Sequence, residues 1–188
     1  MLTLEGNIVK NNRIFRQRLE INDSGMISKI GSPTGVADFI FKDELIFPGF
    51  IDLHVHARED QSHTQNYKED FRTVSEAAIN GGVVAFAEMP NNPVPPIDEK
   101  SYAEKNKLTE KSKVPVVLYA GIGPKTHPLE KKVPYKVFMG KSVGDLFFNT
   151  KKALEETLKN YSGQYVSFHC EDPEILADNT QALTHELR

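Results

Sequence analysis

Hydrophobic and polar positions change their rhythm once along the chain. Over the first fifty residues the apolar runs are short or alternating, Leu2 to Val9, Ile14 to Ile21, Met26 to Ile30 and Phe39 to Phe41, and clusters of Asn, Asp, Ser, Gly and Pro separate them. This pattern predicts a small antiparallel sheet. From Leu45 onward, apolar runs alternate with segments of helical spacing. Leu45 to Leu53 reads as a buried strand. Glu69 to Asn80 reads as a helix with Phe71, Val74, Ala77 and Ala78 on one face, stopped by Gly81-Gly82, and Val83 to Glu88 as the next strand. Asp98 is placed to cap a polar helix running to Lys111. Val114 to Ala120 is a third strand, Tyr135 to Met139 a fourth, Thr150 to Tyr161 a helix and Tyr165 to His169 a fifth strand.

Strand, helix and strand repeated in this order predict a parallel sheet with helices outside, an α/β architecture. A complete eight-stranded barrel takes about 250 residues. The segment after the change of rhythm is shorter and reaches strand five, so the expectation is an incomplete TIM-like (β/α)8 barrel. The expected division is residues 1–47 as a small β domain and 48–188 as the amino-terminal portion of the barrel.

Composition narrows the function without choosing it. Of 188 residues, 39% are apolar, enough for a packed core, and 23 Lys and Arg against 26 Asp and Glu leave a net charge of -3. That balance argues against a general nucleic-acid or membrane-surface binder. No apolar run approaches the ~18 residues of a membrane span, and Met1 to Gly6 lacks a basic start followed by an apolar stretch, so no secretory leader is expected. A single cysteine, Cys170, excludes an intramolecular disulfide framework and a Cys-rich zinc ribbon, and agrees with a cytoplasmic location.

The chemistry concentrates at strand ends. Pro48-Gly49-Phe50-Ile51-Asp52-Leu53-His54-Val55-His56 sets two histidines at i and i+2, which on a strand project to the same side and can converge on one ion. Alone, such a pair reads more readily as chance polar residues on a strand. At the carboxyl end of the first barrel strand, where barrels of this kind keep their active sites, it reads as a ligand pair.

With these residues in place the stretch resembles the amidohydrolase superfamily. Arg58-Glu59, Tyr67-Lys68-Glu69-Asp70, Gly81-Gly82 and Met89-Pro90-Asn91-Asn92-Pro93 resemble the dihydroorotase family in order and placement. The resemblance implies a metal-dependent hydrolase barrel preceded by the amino-terminal part of a composite β-sandwich. Allantoinases and hydantoinases share the metal histidines and typically lack the arginine. Arg58 and Asn91 are the implied substrate-binding pair, because a guanidinium grips a carboxylate with two parallel hydrogen bonds and an amide adds a neutral donor.

Lys136, inside the fourth strand, resembles the lysine that becomes a carbamate bridging two metals, although some dihydroorotases use an aspartate there. The plain alternative is an ammonium reaching water at the strand mouth. His169, in His169-Cys170-Glu171-Asp172, resembles a ligand of the second metal, which completes the implied set of His54, His56, Lys136 and His169 around two zinc ions. Cys170 is expected to be a small packing residue. His63, His127 and His185 are expected at the surface, with His63 able to sit in a loop over the site.

The family takes a further histidine from strand six and its general base, an aspartate, from strand eight, and neither strand is reached here. No catalytic base is therefore expected in this chain, and its zinc site should be partial or absent in isolation. The implied function is hydrolysis of dihydroorotate to carbamoyl aspartate in pyrimidine synthesis. The implied partners are that substrate or product and either the missing carboxyl-terminal half or another copy of the chain. Another cyclic amidohydrolase, such as an allantoinase or dihydropyrimidinase, or a catalytically dead structural homologue, stands as the alternative.

Overall fold

A computed structural model of the chain describes residues 1–141, 146–173, 175 and 179. It divides into two compact units, Met1–Gly49 and Phe50–Arg188.

The first unit is one four-stranded sheet in the order β3-β2-β1-β4, formed by β1 (Leu2–Lys10), β2 (Arg13–Ile21), β3 (Ile27–Gly31) and β4 (Phe39–Ile46). Asn11 and Asn12 join β1 to antiparallel β2, both in the left-handed region (φ 51° and 57°). That is the backbone of the tight two-residue hairpin turn, which asparagine tolerates better than most residues. The expectation of an all-antiparallel sheet needs correction, because β4 pairs with β1 in parallel. The segment after β3 crosses to the far edge of the sheet and enters β4 in the direction of β1. It is pinned there by Asp38, whose carboxylate accepts hydrogen bonds from the Thr3 backbone N–H and hydroxyl at 2.8 and 2.7 Å. Leu45 and Ile46 pair with Asn7 and Ile8 and so belong to this sheet. Barrel strand one begins at Phe50, not at Leu45, because Pro48 and Gly49 break what reads as one apolar run.

The second unit repeats strand and helix: β5 (Phe50–Val55), α1 (Phe71–Asn80), β6 (Val83–Glu88), α2 (Glu99–Leu108), β7 (Val116–Leu118), β8 (Ala120–Ile122), β9 (Tyr135–Phe138), α3 (Lys151–Leu158) and β10 (Val166–His169). Every strand pair is parallel, in the orders β5-β6-β7 and β8-β9-β10. β7 and β8 are the two halves of the predicted third strand. The chain breaks at Tyr119, whose N–H reaches Glu88 O at 3.0 Å, while the Ala120 N–H reaches Pro134 O at 2.9 Å. One half thus pairs with strand two and the other with strand four, as neighbours in a barrel order require.

The helices start where capping residues stand. Asp70 and Asp98 each accept the backbone N–H three residues on, at 2.8 Å, in capping boxes closed by Thr73 and Ser101, and Thr150 caps α3. α1 ends at Gly81-Gly82, where Gly82 adopts φ 76°. Phe71, Phe86, Leu118, Ile122, Tyr135, Val137, Leu154 and Tyr161 form the core on the helix side of the strands. Facing the other way, Ile51, Leu53, Val117 and Tyr165 are each at least half exposed. With Ala85, Ala87 and Tyr119 they line an open, largely apolar cavity of about 480 Å³. Among the described residues no helix is long and apolar enough to cross a membrane.

Candidate metal and carboxylate site

β5 carries the histidine pair on an irregular strand. Asp52 is registered with Phe86 and Val55 with Glu88, so three steps along β5 match two along β6. The extra residue is a bulge, which changes the face that following side chains take. It turns Val55 and Ala57 toward the helix side, where Ala57 is fully buried. His54 and His56 are left on the cavity side with ring centroids 5.2 Å apart. His54 is exposed and His56 half-buried.

β9 and β10 supply the facing residues. Ser167 is registered with Lys136 and His169 with Phe138, so these four side chains share one face. Lys136 is only 3% exposed, its ammonium makes no hydrogen bond among the described residues, and its Nζ lies 5.5 Å above the Phe138 ring. The His169 ring is 5.8 Å from the same phenyl group, and its Nε2 lies 2.7 Å from the exposed Glu171 carboxylate.

Electrostatics ties the two sides together. Burial, then the neighbouring Lys136, push the His54 pKa below the usual histidine range, against the opposing pull of Asp52, and His169 adds to the depression. Burial and the Arg58 guanidinium push His56 down to about 4, with smaller contributions from His54 and Lys136. Burial likewise lowers the Lys136 amine. Each shift favours the neutral base, which is the form that binds a metal ion or reacts with carbon dioxide. His56 Nδ1 is also buried without a hydrogen-bond partner. Neutral imidazoles, an unused buried nitrogen and a lysine held toward its neutral form fit a divalent cation. Among the described residues no three His, Cys, Asp or Glu side chains converge as a metal-holding group, so the lysine would have to join the histidines for such a site to form.

Arg58 and Asn91 come together beside His56. Arg58 takes a left-handed backbone conformation (φ 61°), uncommon for a residue with a β-carbon. Its Nη1 donates to the Asn91 carbonyl at 3.3 Å. Asn91 is 7% exposed, its Oδ1 has no partner, and its side chain lies near enough to His56 to favour the protonated ring slightly.

Beneath this pair is a layer of charge that the sequence reading missed. Glu88 accepts the Ala57 N–H at 2.6 Å and pairs with Lys105 at 3.1 Å, both residues 1% exposed, and Lys105 also bonds the Asn92 carboxamide oxygen. Glu59, fully buried, accepts the Phe71 N–H at 3.0 Å and pairs with Lys111. Asp60 accepts the Ser62 and Val94 N–H groups at 2.8 and 2.9 Å. The available signal was a glutamate closing the apolar strand Val83–Glu88. Lys105 carried none, since it sits among other polar residues of its helix.

His63 and His127 are exposed, and His63 stands 3.7 Å from Glu59. His185 lies outside the described residues. Cys170 is exposed, not packed, because β10 ends at His169 and the thiol falls just past the strand.

A sequence profile described as the amidohydrolase family matches residues 45–172, more than half of the chain. The chain belongs to the amidohydrolase family. It is 31% identical to the dihydroorotase of Thermococcus kodakarensis over 96% of this chain and 43% of that protein. It is 37% identical to the dihydroorotase of Methanosphaera stadtmanae over 76% of this chain and 32% of that protein. An allantoinase of Bacillus licheniformis is 32% identical over 90% of this chain and 42% of its own length. The chain thus spans less than half the length of the relatives it matches. The L-hydantoinase (dihydropyrimidinase) structure from Arthrobacter aurescens superposes with a TM-score of 0.77 at 21% identity, covering 100% of this chain and 44% of that one. That likeness bears out the amidohydrolase barrel fold with partial coverage.

Proposed function

We propose that this amidohydrolase chain is the amino-terminal part of a zinc-dependent dihydroorotase. The observation that carries the reading is the Arg58–Asn91 pair, joined at 3.3 Å beside the His54–His56 pair. A cyclic amide bearing a carboxylate needs both a polarised carbonyl and an anion grip, and these two pairs supply neighbouring anchors for them. The 31% and 37% identities to dihydroorotases support the choice. The allantoinase at 32% identity is the second reading.

In this proposal the Arg58 guanidinium donates two parallel N–H bonds to the ring carboxylate, and the Asn91 amide adds a third. His54, His56 and His169 would hold metal through neutral imidazole nitrogens, and Lys136, as its carbamate, would complete this chain's share of the ligand set. When bound, the zinc ions lower the pKa of water toward ~7 and polarise the amide carbonyl. Hydrolysis forms a carbon–oxygen bond, breaks the ring carbon–nitrogen bond and delivers a proton to the departing nitrogen, giving carbamoyl aspartate. The aspartate that carries that proton, and a further histidine ligand, come from the rest of the barrel, supplied by a carboxyl-terminal half. The reaction belongs to pyrimidine synthesis in the cytoplasm, consistent with the exposed free thiol of Cys170.

The test is an assay of the complete barrel with dihydroorotate, allantoin and dihydrouracil, together with light scattering of the isolated chain. Hydrolysis of dihydroorotate by the complete protein alone is expected. Preference for allantoin sinks the substrate assignment. A stable, active 21.2 kDa monomer of this chain sinks the requirement for a second half.

A further inference from the structure

The two residues assigned to the carboxylate grip sit on separate turns, one after β5 and one after β6, and little of their own keeps them there. The single direct link is the Arg58 Nη1 to Asn91 carbonyl bond at 3.3 Å. Arg58 also holds a left-handed backbone, a conformation that is costly for a residue with a β-carbon and persists only where the surroundings enforce it. The enforcing atoms are identifiable. Glu88 Oε2 takes the N–H of Ala57, the residue before Arg58, at 2.6 Å, and Glu88 Oε1 takes Lys105 Nζ at 3.1 Å. Lys105 Nζ in turn bonds Asn92 Oδ1, on the residue after Asn91. One buried chain of bonds, Ala57 to Glu88 to Lys105 to Asn92, therefore clamps both turns from below.

We propose that Glu88, Lys105 and Asn92 are the positioning residues of the carboxylate grip, setting the separation and aim of Arg58 and Asn91 without touching substrate. This rests on the reading of Arg58 and Asn91 as the carboxylate anchors. The cost of the device argues for a role beyond folding. A buried ion pair is seldom more stable than an apolar pair of the same volume, and Phe71, Phe86 and Tyr102 already pack this layer. The triad adds geometric definition, of the kind whose loss by about 1 Å costs on the order of a hundredfold in a preorganised site.

The experiment uses the complete, metal-loaded protein and two probes, dihydroorotate and its carboxylate-free counterpart dihydrouracil, and compares the KM of the first with the inhibition constant of the second. Glu88→Gln keeps an oxygen for the Ala57 N–H but removes the charge that holds Lys105. Its preference for the carboxylate-bearing ring is expected to fall about tenfold or more, with metal content retained. Because a buried variant can fail to fold, Asn92 is tested in parallel. Asn92→Asp keeps an oxygen toward the ammonium and should retain most of the preference, and Asn92→Ala should lose it. Equal losses for both probes, or an undiminished preference in Glu88→Gln and Asn92→Ala, overturn the positioning role. Arg58→Ala separates the two ideas. If it leaves the preference intact, the carboxylate reading itself has failed; if it abolishes the preference and the Glu88 and Asn92 variants do not, the positioning role alone fails.

Discussion

The corner of the site built by the turns after β5 and β6 and the corner built by β9 and β10 are held by different forces. Around Arg58 and Asn91, buried carboxylates meet backbone N–H groups and ammonium groups, through Glu59, Asp60, Glu88, Lys105 and Lys111. Around the Lys136 ammonium there is a phenyl ring at 5.5 Å and, among the described residues, no hydrogen bond, and the His169 ring lies 2.7 Å from the exposed Glu171 carboxylate. In the first corner the buried carboxylates are paired within this chain, and Asn91 Oδ1 beside them is left without a partner among the described residues. In the second, Lys136 is 3% exposed and its ammonium makes no hydrogen bond to a described residue. On the proposed reading the difference has a reason: an anion grip has to be rigid before substrate arrives, whereas a lysine that is to gain a carbamate and a metal acquires its partners afterwards.

The largest contrast concerns stability. In the first corner, Lys105→Met leaves the Glu88 carboxylate buried without its cation, and breaking a buried pair in this way costs about 3–5 kcal/mol. In the second, Lys136→Met removes an amine that has no hydrogen-bond partner among the described residues and should be neutral or mildly stabilising in the metal-free chain. Denaturant unfolding of the two variants checks this, and equal losses would erase the distinction.

For metal the ranking reverses. Lys136→Met in the complete protein should weaken zinc binding by about a hundredfold or more, since even partners one shell further out typically matter by 10–100-fold. Lys136→Glu restores a carboxylate but holds it several bonds short of the carbamate's, so it should recover little of the loss. Zinc analysis after dialysis reads both. Unchanged occupancy in Lys136→Met would remove the lysine from the proposed ligand set.

Substrate affinity comes next. Arg58→Lys keeps the charge but loses the two-pronged geometry, and a charge-assisted hydrogen bond is worth about 1.5–3 kcal/mol. KM for dihydroorotate should therefore rise by about tenfold or more while zinc content stays constant. Loss of zinc in this variant would place Arg58 with the metal corner and break the comparison.

The two corners were not equally legible in the sequence. Periodicity and turn residues located α1, α2, β6, β9 and β10 to within a few residues, and the caps Asp98 and Gly81-Gly82 lie where the pattern put them. The parallel pairing of β4 with β1, the start of barrel strand one at Phe50 and the break at Tyr119 were not legible. Each depends on which edge the chain reaches after a crossover, and hydropathy does not encode that. Among site residues, those at strand ends stood out because a polar side chain is conspicuous against an apolar run: His54, His56, Lys136, His169 and, in retrospect, Glu88. Lys105 and Lys111 were hidden among the surface charges of a polar segment, and only packing reveals that they face inward. The β5 bulge, which decides the side His54 and His56 take, shows only in the pairing of two strands.

The smallest expected effect is a dependence on acid confined to one corner. Asp70 ends the loop that begins at Arg58 and caps α1, and the Thr73 N–H it accepts holds its carboxyl below the ordinary carboxylate range. A group whose pKa is lowered by folding contributes stability that is fully present above its unfolded value, near 3.8, and lost as pH falls through the lower folded value. An N-cap of this kind is worth about 1 kcal/mol. Below pH 4, therefore, amides at the start of α1 should exchange faster with solvent, while those of β9, whose strand has no carboxylate capping it, should change less. Asp70→Asn keeps an oxygen to cap the helix and removes the titration, so it should flatten the acid response of α1 without altering β9. If β9 loosens in parallel and Asp70→Asn does not separate the two, the corners are one cooperative unit, and the difference between their bonding does not extend to their local stability.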